Sequence, residues 1–436
     1  MSGSLPMPDS AARNNRLPPV DIHLPMPEES NSNRSSRNRS RRASTEYARY
    51  ENPIEVVPST LDVEQTKAGI DKGYKNPWDG DGMPGPLEFT KKFMGGLRND
   101  ISRRLVKHAK DDYTDAFTKE NFAVIAPSIL FLFFACYAPA LAFGALFDIA
   151  TEGNIGIFET VLSTAICGVV YAVFSGQPLT IVGATGPELA YTIVFYNLCK
   201  QLDLEYLPTR WWQGMWTALF TVICAITDSC ALMKYVTRFS EEIFSATVSV
   251  LEIAAALTAI INIFLSDLST GAQLLSAILC AATYMTAIKF RDLRGSDWMN
   301  ATWRKHISNY GVVITIILGT IIANAVLEPF GITDLTFLNV PESLRPTLSL
   351  SNGEPRPWVV NPMGTERELP SWAPVFAVPF ALGLTILGYL DQNLTEVIVN
   401  KKDRLLRKSP GYHLDLFVCG IGMYPLLSIL GLPFTH

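Results

Sequence analysis

The chain has 436 residues, of which 48% are hydrophobic and only 18% are charged. Soluble domains carry about 25% charged residues, and the mean hydropathy here is +0.19 although the N-terminal stretch is strongly polar. This composition excludes a wholly soluble globular protein, a disordered chain and a disulfide scaffold. The formal net charge of −5 is mild and gives no reason to expect a nucleic-acid partner.

The residues that could carry chemistry form no enzyme motif. All seven cysteines lie in apolar stretches without a C-x-x-C pair, so we interpret them as small packing residues. The five histidines are scattered and lack metal-ligand spacing. The chain contains neither a phosphate-binding Walker loop nor a G-x-S-x-G nucleophile motif. We therefore expect no enzyme, no cofactor and no dedicated metal site.

The N-terminal stretch is polar. Residues 1–86 are rich in Ser, Asn, Arg and Pro and include the basic run RSSRNRSRR, so we predict a disordered tail. The tail lacks the apolar region of a secretory signal peptide, and a cytoplasmic tail is favoured over an organelle transit peptide. Residues 87–121 mix charges with regularly spaced apolar residues, which predicts an amphipathic cytoplasmic segment.

The rest of the chain is organised into apolar segments. A helix needs about 20 largely apolar residues to cross a bilayer, and nine segments approach that length, the third of them interrupted by GATGP. Their ranges are 122–149, 155–174, 178–199, 211–233, 243–265, 272–290, 309–327, 372–399 and 413–434. The sequence therefore predicts an all-α polytopic membrane protein with about nine membrane segments.

The distribution of basic residues predicts the orientation. If the Arg-rich tail is cytoplasmic, three loops share its side and hold eleven Lys and Arg residues: 234–242, 291–308 and 400–412. The short loops on the other side, 150–154 and 266–271, hold none, and the longer ones, 200–210 and 328–371, hold five. The positive-inside rule therefore predicts a cytoplasmic N-terminus and an extracellular loop over 328–371.

The interrupted segment is the first candidate for a binding site. Gly183, Gly186 and Pro187 rule out one continuous helix, and Thr185 before Gly-Pro is typical of a helix start with a capping hydroxyl. We expect residues 178–183 to be an extended lead-in. A helix that begins within the membrane presents N–H groups and a partial positive charge to an ion. The alternative interpretation is a proline kink without a ligand.

The second candidate lies in the eighth segment, where Asp391 and Thr395 share a helix face. An intramembrane carboxylate costs about 2.5–3.5 kcal/mol on insertion scales, so it is a functional candidate by default. The alternative is an Asp at the interface that caps a loop. Other acids within the segments are individually weak candidates that could pair with a neighbouring helix or reach an interface: Glu159, Glu188, Asp228 and Glu252.

Ordered motifs from residue 93 to the end resemble a known family. They are FMGGLRNDISRR, DDYTDAF, APALAFGALFD, SGQPLTIVGATGP, RFSEEIF, LDQNLTEVIVN, GYHLDLF and the final GLPF. Together they resemble the anion-exchanger and bicarbonate-transporter family, to which band 3, the sodium–bicarbonate cotransporters and the borate exporters belong. The resemblance covers nearly all of the apolar chain.

The resemblance implies a fourteen-span fold of two inverted seven-span repeats, divided into a core domain and a gate domain, and a homodimer. It would assign 122–233 to core spans 1–4, 243–327 to gate spans 5–7 and 372–434 to core spans 8–9. It also implies a substrate site that includes Thr185, Gly186 and Pro187 of the third span and Asp391 of the eighth. We include Ala184 and Thr395, which adjoin them in the chain or on the helix face, in the predicted substrate site. Asp391 and Thr395 could bind sodium, or Asp391 could carry a proton.

In that family the chain continues through a tenth half-helix and four more spans. We therefore expect either a fragment of a longer protein or a chain that does not transport alone. An Asp at position 391 is similar to the sodium-coupled and borate members, whereas HLDL and VIVN are similar to the bicarbonate branch. The resemblance favours a bicarbonate transporter of the plasma membrane, which could be sodium-coupled or could exchange bicarbonate for chloride. A borate exporter and a non-transporting membrane scaffold remain as alternatives.

Overall fold

The computed structural model describes residues 83–106, 113–114, 117, 119–266, 268–327, 345–351, 353–401, 406 and 408–435. Twelve α-helices are described in these ranges: α1 Gly95–Ile101, α2 Lys119–Ala150, α3 Ile157–Phe174, α4 Gly186–Gln201, α5 Tyr206–Ile226, α6 Arg238–Leu265, α7 Thr270–Asp292, α8 Ala301–Asn309, α9 Gly311–Ile321, α10 Ala373–Val399, α11 Tyr412–Val418 and α12 Tyr424–Leu430. Shorter helical turns occupy Ser102–Val106, Ser229–Tyr235, Leu293–Gly295, Ile322–Leu327 and Cys419–Met423.

The predicted fold class is confirmed, because apolar helices make up most of the described chain. By length and composition, six helical stretches could cross a membrane: Ser128–Ala150, Ile157–Phe174, Arg238–Leu265, Thr270–Asp292, Ala373–Val399 and Tyr412–Leu430. Helix α5 and the turn Ser229–Tyr235, bent by 71° at their junction, bring the number to seven if they form one span. The third and seventh predicted segments correspond to the shorter helices α4 and α9. The inverted repeat stays a prediction.

Helix α5 lies at the centre of the best-packed part, where it contacts α10, α11 and α12. Its buried face is made largely of small residues, among them Gly214, Thr217 and Ala218. Helix α10 also buries small residues one turn apart, such as Ala377 and Ala381. Small residues let helix backbones approach closely, which is how helices pack where lipid supplies no hydrophobic driving force.

Helices α6 and α7 form a more open pair, which contacts α9 and α4. Glu241 is the one described residue of α6 that is buried. The apolar side chains along this helix face outward, for example Val250, Ile253 and Leu257. Such a surface needs a lipid or protein partner, so the pair is suited to a membrane environment.

The fourth predicted segment is not straight. Helix α5 begins at Tyr206, earlier than predicted, and it ends before Asp228, whose backbone is left-handed with φ 57°. The Asp228 carboxylate accepts hydrogen bonds from the backbone N–H groups of Thr90, at 3.1 Å, and Gly96, at 2.9 Å. The bend therefore coincides with a left-handed residue that is fixed in place by hydrogen bonds from the segment preceding the first span, more than 100 residues earlier in the chain.

That preceding segment is packed against the bundle where it is described. Helix α1 contacts α11 and α5, and Leu97 and Asp100 are buried. The predicted tail over 1–86 lies almost wholly outside the described residues, as do parts of 87–121 and of the loop 328–371. The assignment of core, gate and loop ranges stays a prediction, as does the orientation in the membrane.

Candidate functional site

Helix α4 begins where the sequence predicts a helix start. Thr185 occupies the N-cap position with an extended backbone, Gly186 is the first helical residue, and Pro187 lies in the first turn. The predicted capping hydrogen bond to the Thr185 hydroxyl is wrong, because its oxygen accepts none from the first turn of the helix. The physical reason is that Pro187 has no N–H to donate, so one of the usual capping partners is missing.

The lead-in to α4 also differs from the prediction. A turn closes over 177–180, where the Thr180 N–H donates to the Gln177 carbonyl at 3.2 Å, and residues 181–185 follow as irregular backbone. A Cβ placed on Gly183 would meet no described heavy atom within 4 Å beyond its chain neighbours. Within the described chain, the buried Oγ1 of Thr185 has no hydrogen-bond partner. The open space at Gly183 and the unsatisfied hydroxyl oxygen of Thr185 are therefore two residues apart in the chain, just before helix α4 begins.

Glu188, in the first turn of α4, is paired with an arginine. Its Oε1 lies 3.6 Å from Nη2 of Arg210, with 1% and 3% of the two side chains exposed. Arg210 also donates to the Tyr206 hydroxyl at 3.0 Å, and its guanidinium lies 4.1 Å from the centre of the Phe434 ring. Arg210 is thus the buried ion-pair partner of Glu188. The sequence predicts instead that it is one of the basic residues of the loop 200–210. The pair places a positive charge beside the carboxylate in the first turn of α4.

A second buried pair holds the start of α3. Glu159 accepts hydrogen bonds from the Gly156 N–H at 3.1 Å and the Thr347 N–H at 2.7 Å. Its Oε1 lies 3.7 Å from Nη2 of Arg356, and both side chains are buried. Arg356 lies outside the helices, in the predicted loop 328–371, but its side chain is buried. The sequence gives no local signal for either pair, because the partners are separated along the chain.

Asp391 lies past the middle of α10, and Thr395 follows one turn later; both are partly buried. The neighbouring polar residues Gln392 and Asn393 are buried. Gln392 donates to the Tyr171 hydroxyl of α3, and Asn393 donates to the Tyr389 carbonyl of its own helix at 2.8 Å. Several polar side chains on this part of α10 are buried. This favours a position of Asp391 inside the protein over the alternative in which it caps an exposed loop.

Helix α10 and the start of α4 lie close to one another. Val182 of the lead-in and Leu384 of α10 belong to the same buried apolar cluster as Tyr424 of α12. The Tyr191 hydroxyl of α4 donates to the Phe380 carbonyl of α10. Tyr424 also lies within electrostatic reach of both Glu188 and Asp391, and sequence reasoning missed this residue.

The described residues contain no group of three or more His, Cys, Asp or Glu side chains that could hold a metal ion. A sodium ion at Asp391 and Thr395 stays a prediction. So does the assignment to a substrate site of Ala184, Thr185, Gly186, Pro187, Asp391 and Thr395.

Comparison with known proteins shows the family. The model of the HCO3− transporter integral membrane domain matches residues 92–273 and 266–436. Human (Homo sapiens) band 3 anion transport protein is 31% identical over 391 residues, covering 85% of this chain and 41% of the relative. Chicken (Gallus gallus) band 3 anion transport protein is 33% identical over 404 residues, covering 88% of this chain and 41% of the relative.

Anion exchange protein 3 of the mouse (Mus musculus) is 31% identical over 383 residues, which cover 80% of this chain and 30% of the relative. The chain thus spans about two fifths or less of the length of these three relatives. The matched regions nevertheless include nearly all of its apolar helices. With the helical, multi-pass architecture described above, this match means that the chain belongs to the family of the HCO3− transporter integral membrane domain.

Proposed function

We propose that this chain binds and transports a small inorganic anion, and that the anion is bicarbonate. The observation that carries the proposal is the start of α4 at Gly186, behind irregular backbone and beside open space at Gly183. A helix N-terminus presents N–H groups and about half a positive charge to an anion. The names of the relatives, which are anion transport and anion exchange proteins, support the same class of substrate.

Charge near the helix start supports an anion. Glu188 would repel one, but Arg210 lies beside it in a buried pair. The helix terminus therefore keeps its positive character. The hydroxyl of Thr185, which has no partner among the described residues, would donate a hydrogen bond to the bound oxyanion.

Asp391 would have a different role. A carboxylate repels a bare anion, so Asp391 would bind a co-transported cation or carry a proton. Thr395, one turn along α10, would supply a hydroxyl ligand, since hard cations prefer oxygen ligands. Bicarbonate and the cation would then bind near each other, between the start of α4 and α10.

On this proposal the protein works in the plasma membrane as a homodimer, with its N-terminus in the cytoplasm. The outward-facing apolar residues of α6 and α7 support contact with lipid or with a second copy. Cysteine labelling in intact cells tests the orientation. A Lys401→Cys variant should resist an impermeant reagent added outside, and labelling there would overturn the assignment.

Flux measurements test the substrate. Vesicles containing the purified chain should take up labelled bicarbonate faster than borate under matched gradients. Faster borate uptake would favour a borate exporter instead. A folded protein that moves neither anion would favour the non-transporting scaffold.

A further inference from the structure

Two buried carboxyl groups lie next to each other away from the proposed anion site. Glu396 is in the last turns of α10, and Asp415 is in the first turn of α11. Neither residue has any exposed surface. The two side chains are within hydrogen-bonding distance of each other. A carboxylate cannot donate a hydrogen bond, so contact between two ionised acids would be repulsive.

Backbone N–H groups donate hydrogen bonds to one of the two oxygen atoms of each carboxyl group. Asp415 Oδ1 accepts hydrogen bonds from the backbone N–H groups of Gly176 and Gln177. Glu396 Oε1 accepts one from the Gly411 N–H at 3.1 Å. No N–H or O–H donor in the described parts of the chain reaches the remaining oxygens, Glu396 Oε2 and Asp415 Oδ2. A buried oxygen without a donor is costly, so two adjacent ones need an explanation.

We propose that Glu396 and Asp415 form a proton-binding site that holds one shared proton. A single proton satisfies both unpartnered oxygens and removes one of two like charges from a buried site. Glu396 carries the proton and donates it to Asp415, because the two N–H groups on Asp415 stabilise its ionised form. We call this pair, with its proton, the proton clasp.

The charged and titratable groups around the clasp do not remove the reason for it to bind a proton. Arg104, on the turn after α1, is a cation that acts electrostatically on both Glu396 and Asp415. Asp100 of α1 adds a negative charge, so the cluster would hold three carboxylates if no proton were bound. Nδ1 of the buried His413 of α11 lies 3.2 Å from Oδ2 of Asp100. Other titratable neighbours within the described chain are the phenols and thiols of Tyr171, Cys230, Tyr412 and Cys419.

The position of the clasp connects three elements. Glu396 belongs to α10, Asp415 to α11, and the N–H groups of Gly176 and Gln177 belong to the turn that leads into α4. Gln177 also donates from its side chain to Asn400, which follows α10, at 2.7 Å. Removing the proton would leave two anions in contact and loosen this junction. The folded state should therefore lose stability as the pH rises.

Infrared spectroscopy of the full chain, purified in detergent, detects the proton directly. A protonated carboxyl group has a carbonyl stretch that a carboxylate lacks. At neutral pH the wild-type protein should show this band, and Glu396→Gln should lose the part of its intensity that one carboxyl group contributes, whether or not Asp391 also carries a proton. The Gln side chain still accepts from Gly411 and donates to Asp415, so the fold is kept. Glu242→Gln, a matched change at an exposed acid of α6, should leave the band unchanged.

Thermal unfolding gives a second, independent measurement. The Tm of the wild type should fall from neutral to alkaline pH, and Glu396→Gln should flatten that fall. Asp415→Asn, which can donate from its amide, should flatten it as well. A band of undiminished intensity in both variants, or identical pH profiles for all three proteins, would overturn the proposal. Neither measurement depends on transport, so the outcome is separate from that of the proposed function.

Discussion

Oε1 of Glu188 lies 3.6 Å from Nη2 of Arg210, and both side chains are almost wholly buried. The carboxylate sits in the first turn of α4, where an anion would otherwise meet a negative charge. The arginine comes from α5, and it is held in turn by the Tyr206 hydroxyl and the Phe434 ring. The pair thus fixes α4 against α5 and keeps the helix start electrically suited to an anion.

Arg210→Met should lower the free energy of unfolding by about 3–5 kcal/mol, because it leaves the Glu188 carboxylate buried without its partner. The double change Arg210→Met with Glu188→Gln should recover much of that loss, since it removes the unpaired charge. Denaturant unfolding in detergent measures both. A single variant as stable as the wild type would show that the pair does not hold α4.

Gly176→Ala should destabilise the protein by about 1–3 kcal/mol, as overpacking does. A Cβ on Gly176 would come within 2.6 Å of the Gly411 Cα and 2.8 Å of its carbonyl oxygen, and backbone cannot move aside cheaply. Gly168→Ala is the control, because its added methyl group would meet no described heavy atom within 4 Å beyond its chain neighbours and the backbone of its own helix. Within helix α3 that change should be neutral or stabilising by roughly 0.5–1 kcal/mol. Equal unfolding temperatures for the two variants would contradict the close contact.

Thr185→Val tests the hydroxyl beside the helix start. The valine has the same shape, and the lost hydroxyl oxygen has no partner within the described residues, so the Tm should not fall. Anion affinity should drop about tenfold or more, because a hydrogen bond to a charged group contributes about 1.5–3 kcal/mol. Concentration-dependent bicarbonate uptake measures this effect. A lower Tm with unchanged affinity would indicate a structural role only.

Glu152, between α2 and α3, gives a pH-dependent prediction. The hydrogen bond from Lys200, and a second from Tyr196 at 3.1 Å, hold the pKa of this carboxyl below its ordinary value. The contact therefore stabilises the fold above the ordinary pKa and is lost as the pH falls through the lowered one. Lys200→Met should lower the Tm slightly at neutral pH, and the difference should vanish in acid. A gap that persists at low pH would contradict this account.

The sequence could predict the start of α4 because its cause is local. A Gly-Pro pair after Thr185 sets the backbone whatever surrounds it, and the helix begins at the expected residue. The apolar helices were predictable for a similar reason, since a stretch of 20 apolar residues needs a membrane or a core.

The buried ion pairs could not be predicted in this way. Glu159 and Arg356 are far apart in the chain, and only the folded bundle brings their side chains to 3.7 Å. Charged residues in polar surroundings are usually exposed, so the sequence did not indicate that the side chains of Arg210, in a helix, and Arg356, in a loop, are buried. The bend at Asp228 was missed for the same reason, because its N–H donors come from Thr90 and Gly96.

The most direct test of the account is bicarbonate flux through Asp391→Asn as a function of sodium and pH. We expect this variant to fold and reach the membrane but to lose cation-coupled flux, because it lacks the charge that binds the cation or proton. Asp391→Glu should keep flux with altered coupling, since its carboxylate moves by one methylene. If Asp391→Asn instead transports normally, with unchanged sodium and pH dependence, Asp391 is not part of the transport site.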